Sequence, residues 1–442
     1  MNRLDRLAAL ISAARQAGAD SADALLVENA SLSVQRRLGK LEHLERAEGL
    51  DIGLRVFIGL RQAIISSSDT DPAGFARLAE QAVAMARVVP ADPFCGLLEP
   101  RAAPDATPLD LHDPSEPSAE ALIERAAIAE EAALAVAGVT NSEGAEAGWS
   151  RLRIAMVTSA GFAGEYARTG HSISATALAG SGTAMERDYD YSSAVHLADL
   201  EDAGLIGRRA GEQAVSRLNP RRPATARLPV VYAPRVSGSL IGHLSSAING
   251  AAVARGTSFL KDSMGKRVLA AGLRVMDDPT RPRGARSRPF DAEGTPCAPL
   301  ALVEDGVLLN WLLDGRSARQ LNLASTGHAS RGTGGPPSPS ATNLWLAPGS
   351  ATPAELIADI REGLYITEMI GMSVSAVTGD YSRGASGFMI RNGQLAEAVS
   401  EMTVAGKLQE MFLHMTPASD LIFKRGTDAP TLRVEGMTLA GA

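Results

Sequence analysis

Near the start of the chain, Leu4, Leu7, Ala8, Ile11 and Ala14 recur at helical spacing, and Gly18 stands where such a helix would end. From Ala22 to Ser68 the pattern changes. Ser31–Gln35 alternates apolar with polar, and Gly53–Ile58 and Gln62–Ile65 flank Gly59 as the strands of a hairpin. Asp71-Pro72 then opens a helix, the aspartate as cap and the proline in the first turn, with Phe75, Leu78, Ala82, Met85 and Ala86 as its apolar stripe. The prolines between Pro90 and Pro117 predict an extended surface connection. Ser118 caps an alanine-rich helix ending near Gly138. Alternation returns at Arg151–Val157 and Ser172–Leu178, and a helix from Glu201 to Leu218 is stopped by Asn219-Pro220.

The run Asn219–Pro223 marks a boundary, giving an expected N-terminal domain of residues 1–219 and a C-terminal domain of 220–442. Beyond it, Leu228–Tyr232 predicts a strand. A small-residue helix follows, with Val236, Leu240, Leu244, Ile248 and Ala251 on one face. After Gly256 the chain breaks into short alternating runs, with hairpin signals at Glu304-Asp305-Gly306 and Asn392-Gly393. The expected fold is α+β: an N-terminal α/β sandwich-like domain, its sheet packed with helices, and a C-terminal β-rich, barrel-like domain.

Composition narrows the function. With 442 residues, 45% of them hydrophobic, the chain can bury a sizeable core. A net charge of −7 argues against nucleic acid as the main partner, because phosphate neutralisation needs a broad excess of Lys and Arg. No uninterrupted apolar run is long enough to span a bilayer, and the N-terminus lacks the apolar core of a signal peptide. Cys95 and Cys297 are too far apart for a CxxC site and imply no disulfide framework. The expectation is a cytoplasmic protein with no membrane partner.

The chemistry is sparse. The histidines are His43, His112, His171, His196, His243, His328 and His414, no two of them close enough in sequence to make a helical metal motif. Asp380-Tyr381-Ser382-Arg383-Gly384 is one residue short of a nucleophile elbow and is followed by another strand-like run, so a turn explains Ser382 more simply. Gly180-Ser181-Gly182 lacks the third glycine of a dinucleotide loop. For His243, near the apolar face of its helix, a buried hydrogen-bonded role is simpler than a functional one. His328 precedes a Gly/Pro/Ser-rich loop, Ser330–Ala341, that fits either a mobile site-lining segment or ordinary surface. Arg281, Arg283, Arg286 and Arg288 form a basic stretch that a solvated loop accounts for, contact with an acidic partner being the alternative.

Several C-terminal segments carry a resemblance. They are Phe290-Asp291-Ala292-Glu293-Gly294; Trp311–Asp314 with Ser317–Leu321 and Ser325–Ala329; and Val377–Phe388 continuing through Val399–Gly406. With Met185–Tyr189 and Asp51–Val56, they resemble the PmbA (TldE) branch of the TldD/PmbA family over nearly the whole chain. The resemblance implies one of two related subunits of a cytoplasmic zinc metalloprotease that cleaves unfolded or leader peptides inside an enclosed cavity. The family's catalytic subunit carries His-Glu-x-x-x-His on a helix, with a C-terminal cysteine as a further ligand. Counting back from Arg255-Gly256-Thr257-Ser258, those positions fall here on Ile241, Gly242 and Ser246. His243 is out of register, and no cysteine follows Cys297.

The implied role is therefore a non-catalytic partner of a TldD-type subunit. No catalytic or metal residue is assigned to this chain; zinc is expected in the partner, and a homodimer is possible when the chain is alone. Candidates for lining the cavity or touching substrate are His243 on its helix, and His328, Thr378, Gly379, Asp380, Tyr381, Ser382, Arg383, Gly384 and Ser386 in the loops Ser325–Asn343 and Thr378–Gly387. For both loops, tight turns closing a sheet are an alternative at least as strong. Two rival readings stay open: a stand-alone peptide-binding or regulatory homodimer, and an autonomous hydrolase built around Ser382 and His328.

Overall fold

Asn2 caps helix α1 (Arg3–Gln16) by accepting the Asp5 amide, and Gly18, at φ +102°, turns the chain toward strand β1 (Ser21–Arg37). The computed structural model describes residues 1–441. The buried face of α1 is Leu7, Leu10, Ile11 and Ala14; Ala8, expected among them, is exposed. Leu38 and Gly39, both at positive φ, reverse the chain into β2 (Lys40–Ile58), and Gly59 leads into β3 (Arg61–Ser67). Asp71 caps a short 3-10 turn ahead of α2 (Phe75–Val88). Met85 is exposed on α2 because Ala79 and Val83 complete its inward face.

The proline-rich connection is anchored rather than superficial, since Leu109, Leu111 and Asp113 are buried. Ser118 then caps α3 (Ala119–Leu134). Strands β4 (Val139–Thr158), β5 (Ala163–Ala179) and β6 (Glu186–Ala194) follow, and Asp202 caps α4 (Ala203–Ser216). The strands form one antiparallel sheet in the order β3-β2-β1-β4-β5-β6. Residues Ala22, Ala24, Leu26, Ala30, Leu32 and Val34 of β1 face the helices. The first three pack with α1 and α2, the last three with α3 and α4.

β4 and β5 run well beyond the stretches their alternation predicts. Their other face carries Gly148, Ser150, Gly170 and Ser172, small residues that leave no apolar period to detect.

The second half begins with β7 (Ala226–Tyr232), α5 (Pro234–Ala247) and α6 (Gly250–Ala254). Asn249 ends the run expected as one helix and caps α6. Short strands β8 (Val275–Asp277), β9 (Leu300–Glu304) and β10 (Val307–Leu308) precede α7 (Gly315–Gln320). Next come the two-residue strands β11 (Ala329–Ser330) and β12 (Ser338–Pro339), β13 (Leu344–Leu346) and α8 (Pro353–Ile357). The chain closes with β14 (Glu362–Val374), β15 (Asp380–Arg391), β16 (Gln394–Lys407), α9 (Leu408–Leu413), β17 (Met415–Pro417), β18 (Thr427–Asp428) and β19 (Leu432–Ala440).

Strands β16-β15-β14-β7-β19 form a sheet that closes on itself where Thr403–Ala405 of β16 pair with Thr438–Ala440 of β19. The fold is thus mixed α+β, with a closed five-stranded barrel in the C-terminal half. Both expected hairpin turns form with consecutive positive φ, at Asp305-Gly306 and Asn392-Gly393. Leu240, Ile241, Leu244 and Ala247 of α5 join one core with Tyr232, Leu364, Tyr381, Val404 and Val434 of the barrel. A second sheet, β10-β9-β8-β13-β18, extends that core.

Candidate functional site

α5 lies against the barrel, which decides what its side chains can do. Ile241 is wholly buried in the core. Gly242 faces open space, and the Ser246 hydroxyl donates back to the Gly242 carbonyl at 3.0 Å. The His243 ring meets Tyr381 edge to face at 5.9 Å between centroids. Its Nε2 is buried without a hydrogen-bond partner, so the expected hydrogen-bonded histidine is not what forms. Burial, and then the nearby Arg383 charge, push its pKa below the ordinary value, which keeps the ring neutral. Among the described residues, no group of three His, Cys, Asp or Glu converges closely enough to hold a metal ion.

Thr378–Asp380 make a turn into β15. Gly379 is at φ +78°, the Thr378 hydroxyl donates to Asp380, and Gln409 donates to the Thr378 carbonyl at 3.0 Å. A Cβ on Gly379 would collide with Gln409. Tyr381 points into the core, and Ser382 lies within a barrel strand, paired with Ser373 on one side and Ala405 on the other. Arg383 donates to the Gly371 carbonyl at 2.8 Å, and Gly384 lies beside Ile370. Ser386 is buried, accepting from Arg217 at 2.8 Å and donating to Glu368 at 3.2 Å.

His328 is held elsewhere. Its Nε2 lies 3.0 Å from Asp277 and its Nδ1 2.9 Å from the Thr326 hydroxyl, all within the second sheet and its loops. Asp277 also accepts the amide of Thr342 at 2.7 Å, so the pair pins the loop after His328. Among the described residues no hydrogen bond links His328 to Ser382. The loop itself is tied down: Arg331 is buried against Asp23, and the Thr333 backbone fits so tightly over Gly53 that a Cβ there would collide.

That tie reveals a constellation that periodicity missed. Asp23 and Arg55 are directly opposed across β1 and β2, on the face away from the helices, and both are buried. Arg55 Nε donates to Asp23 at 2.7 Å, Arg331 reaches the same carboxylate, and Glu293 lies 3.9 Å from Arg55. Burial pushes the Glu293 carboxyl up to about 7, opposed chiefly by the Arg55 charge. Burial tends to raise Asp23 too, but Arg331 and Arg55 outweigh it and hold its pKa below the ordinary carboxylate value. The available signal was a charged residue inside an apolar run, Arg55 between Leu54 and Val56. Asp291, in the same segment as Glu293, uses its carboxylate to accept the amides of Glu293, Thr295 and Ala329.

The same sheet face forms the floor of a cavity of about 480 Å³. Its roof comes from Arg281–Ala285, Asn343 and Phe423–Lys424 of the second half. Neighbouring hollows of about 260 and 130 Å³ share Tyr166, Arg288 and Ser330 along the seam between the halves, and Arg168 lines both the larger hollow and the main cavity. Of the segment Ser325–Asn343, residues Ser330, Arg331 and Ser340–Asn343 line these spaces.

Family models for the PmbA/TldA metallopeptidase match residues 22–86 (domain 1), 112–218 (central domain) and 225–441 (C-terminal domain). The chain is 36% identical to Metalloprotease PmbA of Escherichia coli O157:H7 over 426 residues, covering 96% of this chain and 92% of that protein. It is 32% identical to the Metalloprotease PmbA homolog of Haemophilus influenzae, covering 98% and 94%. The fold matches the crystal structure of TldE from Thermococcus kodakarensis with a TM-score of 0.87 at 19% identity, covering 99% of this chain and all of that one. A structure described as a modulator of DNA gyrase from Thermotoga maritima matches with a TM-score of 0.88 at 22% identity, over 99% of both chains. On sequence, family models and fold together, the chain belongs to the PmbA/TldD metallopeptidase family.

Proposed function

We propose that this chain is the partner subunit of a two-component zinc peptidase of this family. It completes the cavity and the subunit interface, while the metal sits in a TldD-type subunit. Helix α5 carries the reading. Where the family resemblance places two histidines and a glutamate stand Ile241, Ser246 and Gly242. Ile241 is wholly buried, Ser246 is spent on its own helix, and His243 points to Tyr381. Isoleucine and glycine supply neither a lone pair for zinc nor a general base, so the donor set does not fit the metal.

The substrates are unfolded or leader-type peptides, the compartment is the cytoplasm, and the chain forms a heterodimer, or a homodimer when alone. The two unpaired cysteines are in keeping with a reducing compartment. No helix among the described residues is long and apolar enough to cross a membrane. The β1–β2 hairpin leaves Leu38, Leu41 and Leu44 exposed at its tip, a surface suited to a protein partner.

The test measures zinc content and peptidase activity of the purified chain, of a histidine-motif TldD-type subunit, and of the two mixed. Cleavage and stoichiometric zinc in the mixture, with neither in this chain alone, is the expected result. Turnover or tight zinc binding by this chain alone would overturn it.

A further inference from the structure

The open face of the N-terminal sheet is tiled with small polar residues in register. Ser33 of β1 pairs with Gly148 of β4, Gly148 with Ser172 of β5, and Ser172 with Ser193 of β6. The neighbouring rung is Ser31, Ser150 and Gly170. Side chains two apart on a strand share a face, so these rungs form one flat hydroxylated floor beneath the 480 Å³ cavity. Of the helix-facing positions between them, Leu32 and Trp149 are buried and apolar, and His171 is buried 3.3 Å from Asp113. Core packing explains those residues and does not explain the floor.

Charge accounting gives the floor a sign. Arg281 forms no ion pair among the described residues; its guanidinium lies over the Phe423 ring at 3.3 Å. Arg168 donates to the Ala285 carbonyl and Arg286 to the Thr427 hydroxyl, and neither has an ion-pair partner among the described residues. Arg288, donating to the Gly327 carbonyl, is answered by the nearby Asp291 charge. Two other cations at the cavity are already matched, Arg283 by Asp110 and Asp199, and Lys424 by Asp190 and Glu201.

The carboxylates here are differently committed. Asp428 accepts the amides of Lys424, Arg425 and Gly426, and Asp291 in the adjoining hollow accepts three amides of its own. Glu146, at the edge of the floor, is exposed. A chain of net charge −7 thus concentrates unmatched guanidinium along one seam.

We propose that this seam binds an extended peptide segment rich in Asp and Glu. Its backbone lies over the serine–glycine floor, and its carboxylates are taken by Arg168, Arg281 and Arg286. Guanidinium is the group best shaped for carboxylate, and a flat floor of hydroxyls and glycines accepts a main chain without selecting side chains. The volume is that of a small-ligand site, which fits a few residues of an extended chain with its ends running into the neighbouring hollows. This inference rests on the reading that the chain handles peptides, and it adds which peptides.

The test is fluorescence anisotropy with the isolated full chain. The probe is a labelled unstructured dodecapeptide with alternating Glu and Gly, compared with the same peptide carrying Lys for Glu. The acidic peptide should bind at least about tenfold more tightly. Arg281→Ala with Arg286→Ala should remove that preference, both being loop side chains outside the core. Ser172→Tyr, a side chain rising from the floor, should weaken binding while thermal unfolding stays unchanged. Equal binding of both peptides, or insensitivity to all three substitutions, would overturn the proposal. Displacement of the peptide by a single-stranded oligonucleotide of equal charge at equal concentration would also overturn it, in favour of a general polyanion site. Because no partner subunit is present, a two-component mixture that fails to cleave leaves this result standing, and lost selectivity overturns the inference even where the mixture cleaves.

Discussion

Glu293 sits where the two halves of the chain meet, with one carboxylate oxygen accepting the Gly315 amide at 2.6 Å and the other near Arg55. Its folded pKa of about 7 lies above its ordinary 4.5, so the folded state holds this proton more firmly than the unfolded chain does. The stability it contributes is fully present below the unfolded value and is lost as pH rises through about 7. A shift of this size corresponds to about 3 kcal/mol. Glu293→Gln keeps the amide acceptor and removes the titration. It should gain on the wild type by that order between about pH 5 and about pH 8 in denaturant unfolding. Parallel pH profiles would mean Glu293 is not the group responsible. In the sequence this residue stood out only through the family resemblance of Phe290–Gly294. A lone glutamate between small residues has no period, and its burial depends on a strand more than two hundred positions away.

At the scale of elements, glycine separates two kinds of helix. On α4, a Cβ at Gly207 would overlap the backbone of Ala129 on α3, and one at Gly211 would meet Val136 and the Ala133 carbonyl. These glycines let α3 and α4 touch backbone to backbone over the sheet. Gly242 on α5 has nothing within 4 Å of where a Cβ would stand. Both lie inside helices, where alanine is intrinsically better by about 1 kcal/mol. Gly242→Ala should therefore stabilise the chain, or leave it unchanged. Gly207→Ala should destabilise it by about 1–3 kcal/mol despite the same propensity gain, through overpacking. Denaturation midpoints of the two variants moving in the same direction would contradict this.

The helices backing the N-terminal sheet were legible in advance, because Leu4, Leu7 and Ile11, and Phe75, Leu78 and Ala82, recur at helical spacing beside alternating runs. Helix caps and hairpin turns were legible too, because Asp71, Ser118, Asp305-Gly306 and Asn392-Gly393 act locally. The full length of β4 was not, since Glu146, Gly148 and Ser150 face a cavity whose other wall comes from the distant half of the chain.

For the molecule as a whole, the second joint between the halves is an ionic lattice around Asp188. This nearly buried carboxylate takes Arg217 from the end of α4 on one oxygen, at 3.2 Å, and Arg235 from the start of α5 on the other, at 2.7 Å. Arg217 continues to Glu368 and Ser386 of the barrel. The lattice therefore spans β6, α4, α5, β14 and β15, and no sequence pattern could have announced it. Met185–Tyr189 and Thr378–Gly387 were each noticed by resemblance, yet their partnership exists only in the folded chain.

Removing Asp188 leaves Arg235 without an ion-pair partner among the described residues while Arg217 keeps Glu368, so Asp188→Ala should cost about 2 kcal/mol, less than a fully unpaired buried charge would. Arg274→Ala offers the contrast: its pair with Glu304 is exposed on both sides, and the change should cost well under about 1 kcal/mol. The loss in Asp188→Ala falls on the joint and not on either core, so calorimetry should resolve two thermal transitions, one for the helix-backed sheet and one for the barrel. A single transition lowered as a block would mean that the halves unfold as one unit, held by the remaining links such as Arg331 with Asp23, Arg283 with Asp110 and Lys424 with Glu201.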